Sequence, residues 1–308
     1  MLKNKEVIGT FLVFLTAIIS GFSIFANKIF IAKIDPLIFT ALRGIFIGLI
    51  FLILSFAYSH WNPKKFKKVS WNYLIAIGII GGGIAFWMFF SGLKLTTAGR
   101  SGFIHKTLPI YVLALAVIFL KEKISKKQIL ATLIMLTGLI ILLLTSITPA
   151  SMWLNPTIGD LLVLGATILW AVEIVIARKA MLNGENNFVV SFARMFFGSL
   201  ILFAIIIINN KWNIILELNS QQWIYIITST IILFFYILTF YWGIRYINVS
   251  KATAILLISP IITLILGAVF LEEPYPAMQI LGSGIILIGA YFISKEKSRS
   301  LNTNIYSN

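Results

Sequence analysis

Long apolar stretches dominate the chain, and short polar or basic segments separate them. Ten of these stretches are long enough to cross a hydrocarbon core about 30 Å thick, which takes roughly 20 apolar residues in a helix. Their Ile, Phe and Val content would suit strands in water, but runs of this length with little alternation favour lipid-embedded helices. The predicted spans are residues 7–27, 36–58, 71–91, 97–119, 126–146, 158–178, 188–208, 222–243, 249–270 and 277–294.

The composition supports a membrane setting. Of the 308 residues, 59 % are hydrophobic and only 11 % are charged, whereas a soluble domain carries roughly a quarter charged residues. Lipid removes the need for a polar exterior. The first apolar run, Val7 to Phe25, is long for a secretory signal core, so it is predicted to be a retained helix. We therefore predict an all-α integral membrane protein with ten transmembrane helices.

Basic residues give the chain a formal charge of +15, and their positions predict its orientation. With a cytoplasmic N-terminus, seventeen Lys and Arg residues fall in segments on the cytoplasmic side and five on the outer side. This bias predicts a multi-pass protein of the cell membrane with both termini in the cytoplasm. Nucleic-acid binding is rejected, because it requires basic residues gathered on one folded face. The chain has no cysteine, which excludes disulfides and thiolate metal sites.

The second half of the chain repeats the first. A shift of 151 residues aligns residues 92–138 with residues 243–289 without a gap, and fifteen of the 47 positions are identical. Apolar bias inflates matches at Ile and Leu, but it does not readily explain matched Pro, Glu, Gln and Gly. The matches include Gly92/Gly243, Pro109/Pro260, Glu122/Glu273, Gln128/Gln279 and Gly138/Gly289. The predicted halves are residues 1–147 and 148–298, followed by a short cytoplasmic tail, 299–308.

Each predicted half contains five spans. Because five is an odd number, the second half enters the membrane from the opposite side, and the halves form an inverted repeat about an axis in the membrane plane. Secondary transporters commonly have this architecture and bind substrate near the midplane, at the interface of the repeats. Two similar halves can rock about one fixed site. A simple membrane anchor has no need of such a repeat.

Matching motifs at the end of each half give the chain a family resemblance. Pro109-Ile110 leads to Phe119-Leu120-Lys121-Glu122, and Pro260-Ile261 leads to Phe270-Leu271-Glu272-Glu273. With two five-helix halves, the chain resembles the EamA-type transporters of the drug/metabolite transporter superfamily. The resemblance implies a basket with a central cavity lined mainly by helices 1, 3, 4, 6, 8 and 9. Members of this family export amino acids, drugs and other metabolites.

Five ionisable residues stand out inside the predicted spans, where charge is costly and therefore suggests function. Lys106 lies too deep to reach the membrane surface easily, so it is a candidate clamp for a substrate carboxylate or phosphate, or else half of a structural ion pair. His105 is a candidate proton carrier or a neutral packing residue. Glu173 could bind a substrate ammonium, carry a coupling proton or neutralise Lys106. Arg43 and Arg194, matched by the repeat, are favoured as structural charges.

Prolines and aromatic residues add to the candidate site. Pro109 and Pro260 interrupt spans 4 and 9, and the backbone they expose suits a wet cavity or gate better than a simple kink. Trp87 and Tyr236 lie deep in their spans and are the predicted cavity-lining aromatics, and Trp170 shares a helix face with Glu173. The Gly81-Gly82-Gly83 run lacks the residues of a phosphate loop and is predicted to allow close helix packing.

Three transport functions are compatible with these residues. The first is secondary export of amino acids or related metabolites, with Lys106 and Glu173 holding a zwitterion. The second is proton-coupled efflux of lipophilic cations led by Glu173, and the third is carriage of anions led by Lys106 and the arginines. A channel or an intramembrane enzyme is disfavoured, because no nucleophile–base or metal-binding pattern appears. No cofactor or metal is predicted, and the expected partners are lipid, a small substrate and a coupling proton, in a monomer or homodimer.

Overall fold

The computed structural model describes residues 2–58, 70–144 and 155–298. The basic segment that begins at Lys64 and the predicted tail, 299–308, lie outside the described residues. Within the described ranges, ten helices are long and apolar enough to cross a membrane, with mean hydropathy between 1.7 and 2.7, which confirms the predicted number of spans. They are α1 (Leu2–Phe30), α2 (Pro36–Tyr58), α3 (Trp71–Leu95), α4 (Gly99–Phe119), α5 (Lys126–Leu143), α6 (Ile158–Leu182), α7 (Asn187–Ile208), α8 (Ser220–Tyr246), α9 (Val249–Leu271) and α10 (Ala277–Lys295).

Polar side chains fix where several helices begin. Thr157 and Asp160 form a capping box at the start of α6, and Asn219 and Gln222 form another at the start of α8. Asp35 accepts a hydrogen bond from the backbone N–H of Leu37 at 2.9 Å, at the start of α2. These caps satisfy backbone donors that a helix leaves free at its first turn. They account for α8 starting two residues before its predicted boundary.

The two described ends of the chain lie on the same side of the helix bundle. The backbone N–H of Ser298 donates to Glu6 Oε1 at 2.7 Å, so the beginning of α1 and the end of α10 meet. We call this side the terminal side and the opposite one the distal side. On the distal side Lys211 Nζ donates to Asp35 Oδ2 at 2.6 Å. An even number of spans places the termini together, as this contact shows.

Helix packing follows the inverted repeat. α1 packs against α8 and α9, and its counterpart α6 packs against α3 and α4. α2 pairs with α7, and α5 pairs with α10, each helix thus meeting its own counterpart. In the α5–α10 pair a Cβ at Gly138 would lie 2.8 Å from the carbonyl oxygen of Gly282. Small residues therefore let these two helices touch through their backbones.

Three helices change their winding midway. α3 contains a π-helical stretch, Gly78–Ile84, that includes the three-glycine run. α4, whose helical turn extends back to Ala98, is divided at Thr107 into α4a (Ala98–Lys106) and α4b (Leu108–Phe119). α9 passes from α9a (Val249–Ile255) through one 3₁₀ turn, Leu256–Ile258, into α9b (Ser259–Leu271). Pro109 and Pro260 each stand in the first turn after the break, where a missing backbone donor is tolerated.

Candidate functional site

The two interrupted helices meet at a hydrogen bond between Lys106 and Ser259. Lys106 is the last residue of α4a, and Ser259 is the first of α9b. Lys106 Nζ donates to Ser259 Oγ across 2.7 Å. Ser259 is fully buried, whereas Lys106 is half-buried. This hydrogen bond thus joins repeat-equivalent regions of the two halves and holds the half-buried Lys106 side chain between them.

Open space lies beside Gly102, on the same helix as Lys106. Gly102 lies one helical turn before Lys106 and therefore on the same face of α4a. Gly102 is exposed, and a Cβ there would have no atom within 4 Å. In the part of the chain that the structure describes, no carboxylate forms an ion pair with Lys106. Among the described residues, the ammonium therefore has the neutral Ser259 hydroxyl as its partner, and open space lies one helical turn away at Gly102.

Aromatic side chains surround the neighbouring His105. Its ring centroid lies 4.9 Å from that of Trp170 and 5.8 Å from that of Phe89. Trp170 is fixed in turn, because its Nε1 donates to the Gly81 carbonyl at 3.0 Å. Among the described residues, no group forms a hydrogen bond with His105 Nδ1. This cluster forms an aromatic wall that could accept an apolar group or, through its π faces, a cation.

A second polar group, formed by Glu173, Arg194 and Tyr241, lies deeper in the bundle. The Tyr241 hydroxyl donates to Glu173 Oε1 at 2.5 Å, and Arg194 Nη1 lies 3.3 Å from Glu173 Oε2. Arg194 Nη1 also donates to the Tyr241 hydroxyl at 3.1 Å. Glu173 and Tyr241 are fully buried. A buried carboxylate in lipid requires such a partner, and here the partner is a guanidinium.

The glycine run of α3 makes room for this carboxylate. A Cβ at Gly81 would lie 2.2 Å from Glu173 Cγ, and one at Gly82 would lie 1.9 Å from the carbonyl oxygen of Arg194. The run thus lets α3 approach α6 and α7 closely. Close helix packing is the role predicted for these glycines. They also leave room for the Glu173 side chain.

The two arginines matched by the repeat have different surroundings. Arg194 faces a carboxylate, whereas Arg43 Nη1 donates to Ser229 Oγ at 2.7 Å and its guanidinium lies 4.0 Å from the centroid of the Phe39 ring. The position matching Glu173 in the first half is Ser23, which accepts from Asn27 Nδ2 at 3.2 Å. The repeat therefore conserves the helix arrangement better than it conserves the chemistry.

The structure separates some of the residues that the sequence grouped. Glu173 forms an ion pair with Arg194 and not with Lys106, which instead donates to Ser259. Trp87 is 42 % exposed and lines a small surface pocket with Lys94. Tyr236 stacks on Phe240 with ring centroids 6.0 Å apart. No prediction from the sequence assigned a role to Ser259.

Comparison with known proteins places these features in a family context. The EamA-like transporter family matches residues 7–144 and 157–295. An uncharacterized transporter of Archaeoglobus fulgidus is 24 % identical over 288 residues, covering 92 % of this chain and 97 % of the relative. The uncharacterized transporter YyaM of Bacillus subtilis is 24 % identical, covering 87 % and 90 %. A crystal structure with a TM-score of 0.75 and 17 % identity covers 95 % of this chain and 99 % of that chain, which shows the fold alone.

Proposed function

Because this chain belongs to the EamA-like transporter family and is a membrane transporter, we propose that it exports amino acids or related small metabolites that carry a carboxylate. The observation that supports this substrate class is the Lys106 ammonium, with a hydroxyl partner and open space beside Gly102. A carboxylate entering that space would gain charge-assisted hydrogen bonds from the two N–H groups that Ser259 leaves free.

The aromatic wall favours a zwitterion over a simple anion. The rings of Phe89 and Trp170 pack against His105, which directly precedes Lys106 in the chain. An ammonium or an apolar side chain of the substrate could pack on these rings while its carboxylate binds Lys106. Efflux of lipophilic cations is the weaker alternative, because the buried Glu173 carboxylate is already paired with Arg194.

The proposed mechanism is alternating access driven by an ion or substrate gradient. The two inverted halves supply two similar gates around one site, which is the usual build of secondary transporters. The sequence has no Walker phosphate-binding motif that would point to ATP. A proton is the proposed coupling ion, with Glu173 or His105 as its carrier. The bias of Lys and Arg supports our proposal that both termini lie in the cytoplasm of a cell-membrane protein.

Transport assays in liposomes test the substrate class. Purified protein is assayed for counterflow of labelled amino acids, of the corresponding decarboxylated amines and of cationic dyes. We expect amino acids to be carried, and we expect Lys106→Met to lower their transport by about ten- to hundredfold, the effect of losing a charged hydrogen-bond donor. Lys94→Met, which removes an exposed lysine on the distal side, is the matched control.

The outcomes separate the alternatives. Counterflow of dyes or amines without amino acids would refute the carboxylate assignment. Normal amino-acid counterflow by correctly folded Lys106→Met protein would show that Lys106 is not the clamp. Correct folding is checked by monodispersity in detergent and by an unchanged thermal unfolding midpoint.

A further inference from the structure

The backbone break in α9 explains why Ser259 faces Lys106. Pro260 has no backbone N–H, so it cannot donate to the Leu256 carbonyl four residues earlier. Ser259 supplies the missing donors: its backbone N–H caps Leu256, and its hydroxyl donates to the same carbonyl at 2.9 Å. A serine hydroxyl has one proton and two lone pairs. With that proton committed to Leu256, the oxygen can only accept from Lys106.

The corresponding position in the first half lacks this acceptor. Under the repeat, Pro260 matches Pro109 and Ser259 matches Leu108. At the break in α4, the Thr107 hydroxyl donates to the Ile104 carbonyl at 2.6 Å, so a different residue caps the interrupted turn. The cation and its acceptor therefore occur once each, on opposite sides of the repeat interface. The breaks in α4 and α9 are therefore not capped in the same way.

We propose that Ser259 is a positioning residue that holds the Lys106 ammonium at the repeat interface, ready for a substrate carboxylate. This inference rests on the proposed function. Ser259 is fully buried, so it acts through Lys106 and not by touching substrate. A lysine side chain loses much rotamer freedom when it is fixed, and the bond to Ser259 pays that cost before substrate arrives. The positioned ammonium keeps two further N–H groups for a ligand.

Substitution of Ser259 separates positioning from packing. We expect Ser259→Ala to raise the KM for an amino-acid substrate about tenfold while the maximal rate changes less than about twofold, as the loss of one hydrogen bond to a charged group predicts. Ser259→Thr keeps the hydroxyl and should restore much of the affinity. Thr263→Val is the control: its hydroxyl lies one turn further along α9b and donates to the Gly21 carbonyl at 3.0 Å and to the Ser259 backbone carbonyl at 3.2 Å, without contacting Lys106. An unchanged KM in Ser259→Ala, or equal effects of Ser259→Ala and Thr263→Val, would overturn the inference.

A measurement without substrate distinguishes this inference from the proposed function. Lys106 is acylated with a small amine-reactive reagent, and its labelling rate is measured by mass spectrometry with Lys94 as the internal standard. We expect Ser259→Ala to change the labelling of Lys106 about fivefold and to leave Lys94 unchanged, because only Lys106 loses a partner. The same Lys106 rate in both proteins would show that Ser259 does not hold it. A changed rate together with normal transport by Lys106→Met would refute the substrate assignment and leave the positioning intact.

Discussion

The first turns of α9 and α4 are equivalent in the repeat but differ in how they are covered. On the terminal side, Glu122 accepts from the backbone N–H of Val249 at 2.9 Å and from the hydroxyl of Ser250 at 2.6 Å, and every residue of α9a is buried. On the distal side, Glu273 is the repeat counterpart of Glu122. It pairs instead with Lys28, and Gly102 of α4a stays exposed.

Matching cations at the two ends show the same difference. Lys251 and its counterpart Arg100 each bind an acidic residue near the start of the first helix of a half: Lys251 binds Glu6, and Arg100 binds Asp160. The Lys251 side chain is 2 % exposed because α10 covers it, and its Nζ also donates to the Glu296 carbonyl at 2.6 Å. The Arg100 side chain is 17 % exposed. Among the described residues, the ion pair occurs at both ends, and the Glu296 carbonyl adds a further contact to Lys251 on the terminal side.

This comparison teaches that a symmetrical scaffold holds an asymmetrical set of contacts. The terminal end of α9 is closed by a carboxylate cap, whereas in the described part of the chain Glu273, the counterpart of that carboxylate, pairs with Lys28. In an inverted repeat, α4 could take up the contacts that α9 now makes, and α9 those of α4. The side that is open would then become the closed side. The predictions below test this comparison at matched positions.

The largest expected effect is a difference in access to Gly102 and its repeat counterpart Thr253. Thr253 is 1 % exposed, whereas Gly102 has open space beside it. The chain has no cysteine, so Gly102→Cys and Thr253→Cys each give a single reactive thiol. We expect a water-soluble maleimide to label Gly102→Cys about 100-fold faster, corresponding to a closing free energy of about 2.7 kcal/mol at the terminal end. Equal rates in intact liposomes would contradict the asymmetry.

A smaller effect is expected from loosening the carboxylate cap at the terminal end. Glu122→Gln keeps the shape of the side chain but removes the negative charge and one acceptor oxygen at the start of α9a. Loss of such a cap costs about 1 kcal/mol. We therefore expect Glu122→Gln to raise the labelling of Thr253→Cys about fivefold.

Glu273→Gln is the matched control for this cap. It changes the counterpart residue, whose pair with Lys28 is partly exposed and lies on the distal side. Labelling of Thr253→Cys should therefore be unchanged by Glu273→Gln. A result in which both glutamine variants raise the labelling equally would show that net charge, and not the cap, controls access.

Hydrophobic segmentation was sufficient to predict most of the fold. The ten spans follow from apolar length, and the interruptions near Pro109 and Pro260 follow from the missing proline donor. The inverted arrangement follows from an odd number of spans in each repeat. These features depend on local sequence and on the membrane, so they can be inferred without knowing how the helices rotate against one another.

The partners of the buried charges depend on tertiary packing and were not predictable from spacing. Arg194 was favoured as a structural charge, but helix rotation brings it to Glu173, and the glycines of α3 leave room for that pair. Trp87, predicted to line the central cavity, lines a surface pocket with Lys94. Ser259 gave one local signal, a hydroxyl directly before a proline inside a span. Such a residue can cap the interrupted turn and still accept from a neighbouring helix.

The smallest expected effect concerns the link between α2 and the segment after α7 on the distal side. Burial alone would raise the pKa of Asp35, but hydrogen bonds from Lys211 and from the Leu37 backbone, with the charge of Lys211, lower it below its ordinary value of 3.8. An acid with a lowered folded-state pKa stabilises the fold above its unfolded pKa, and this contribution is lost as the pH falls through the folded pKa. The Asp35–Lys211 contact should therefore be intact at pH 7 and lost well below pH 3.8.

Asp35→Asn removes the ion pair but keeps the helix cap, because asparagine also caps a helix. For this partly exposed pair we expect a loss of about 0.5 kcal/mol in unfolding free energy at pH 7, and a smaller difference from the unsubstituted protein at about pH 3. Tryptophan fluorescence during denaturation in detergent measures both values. Labelling of Gly102→Cys should stay unchanged, because this link joins helices other than α4 and α9. If Asp35→Asn instead closed Gly102 to the maleimide, the open distal end would depend on the α2 link, and the contrast between α4 and α9 would not be its cause.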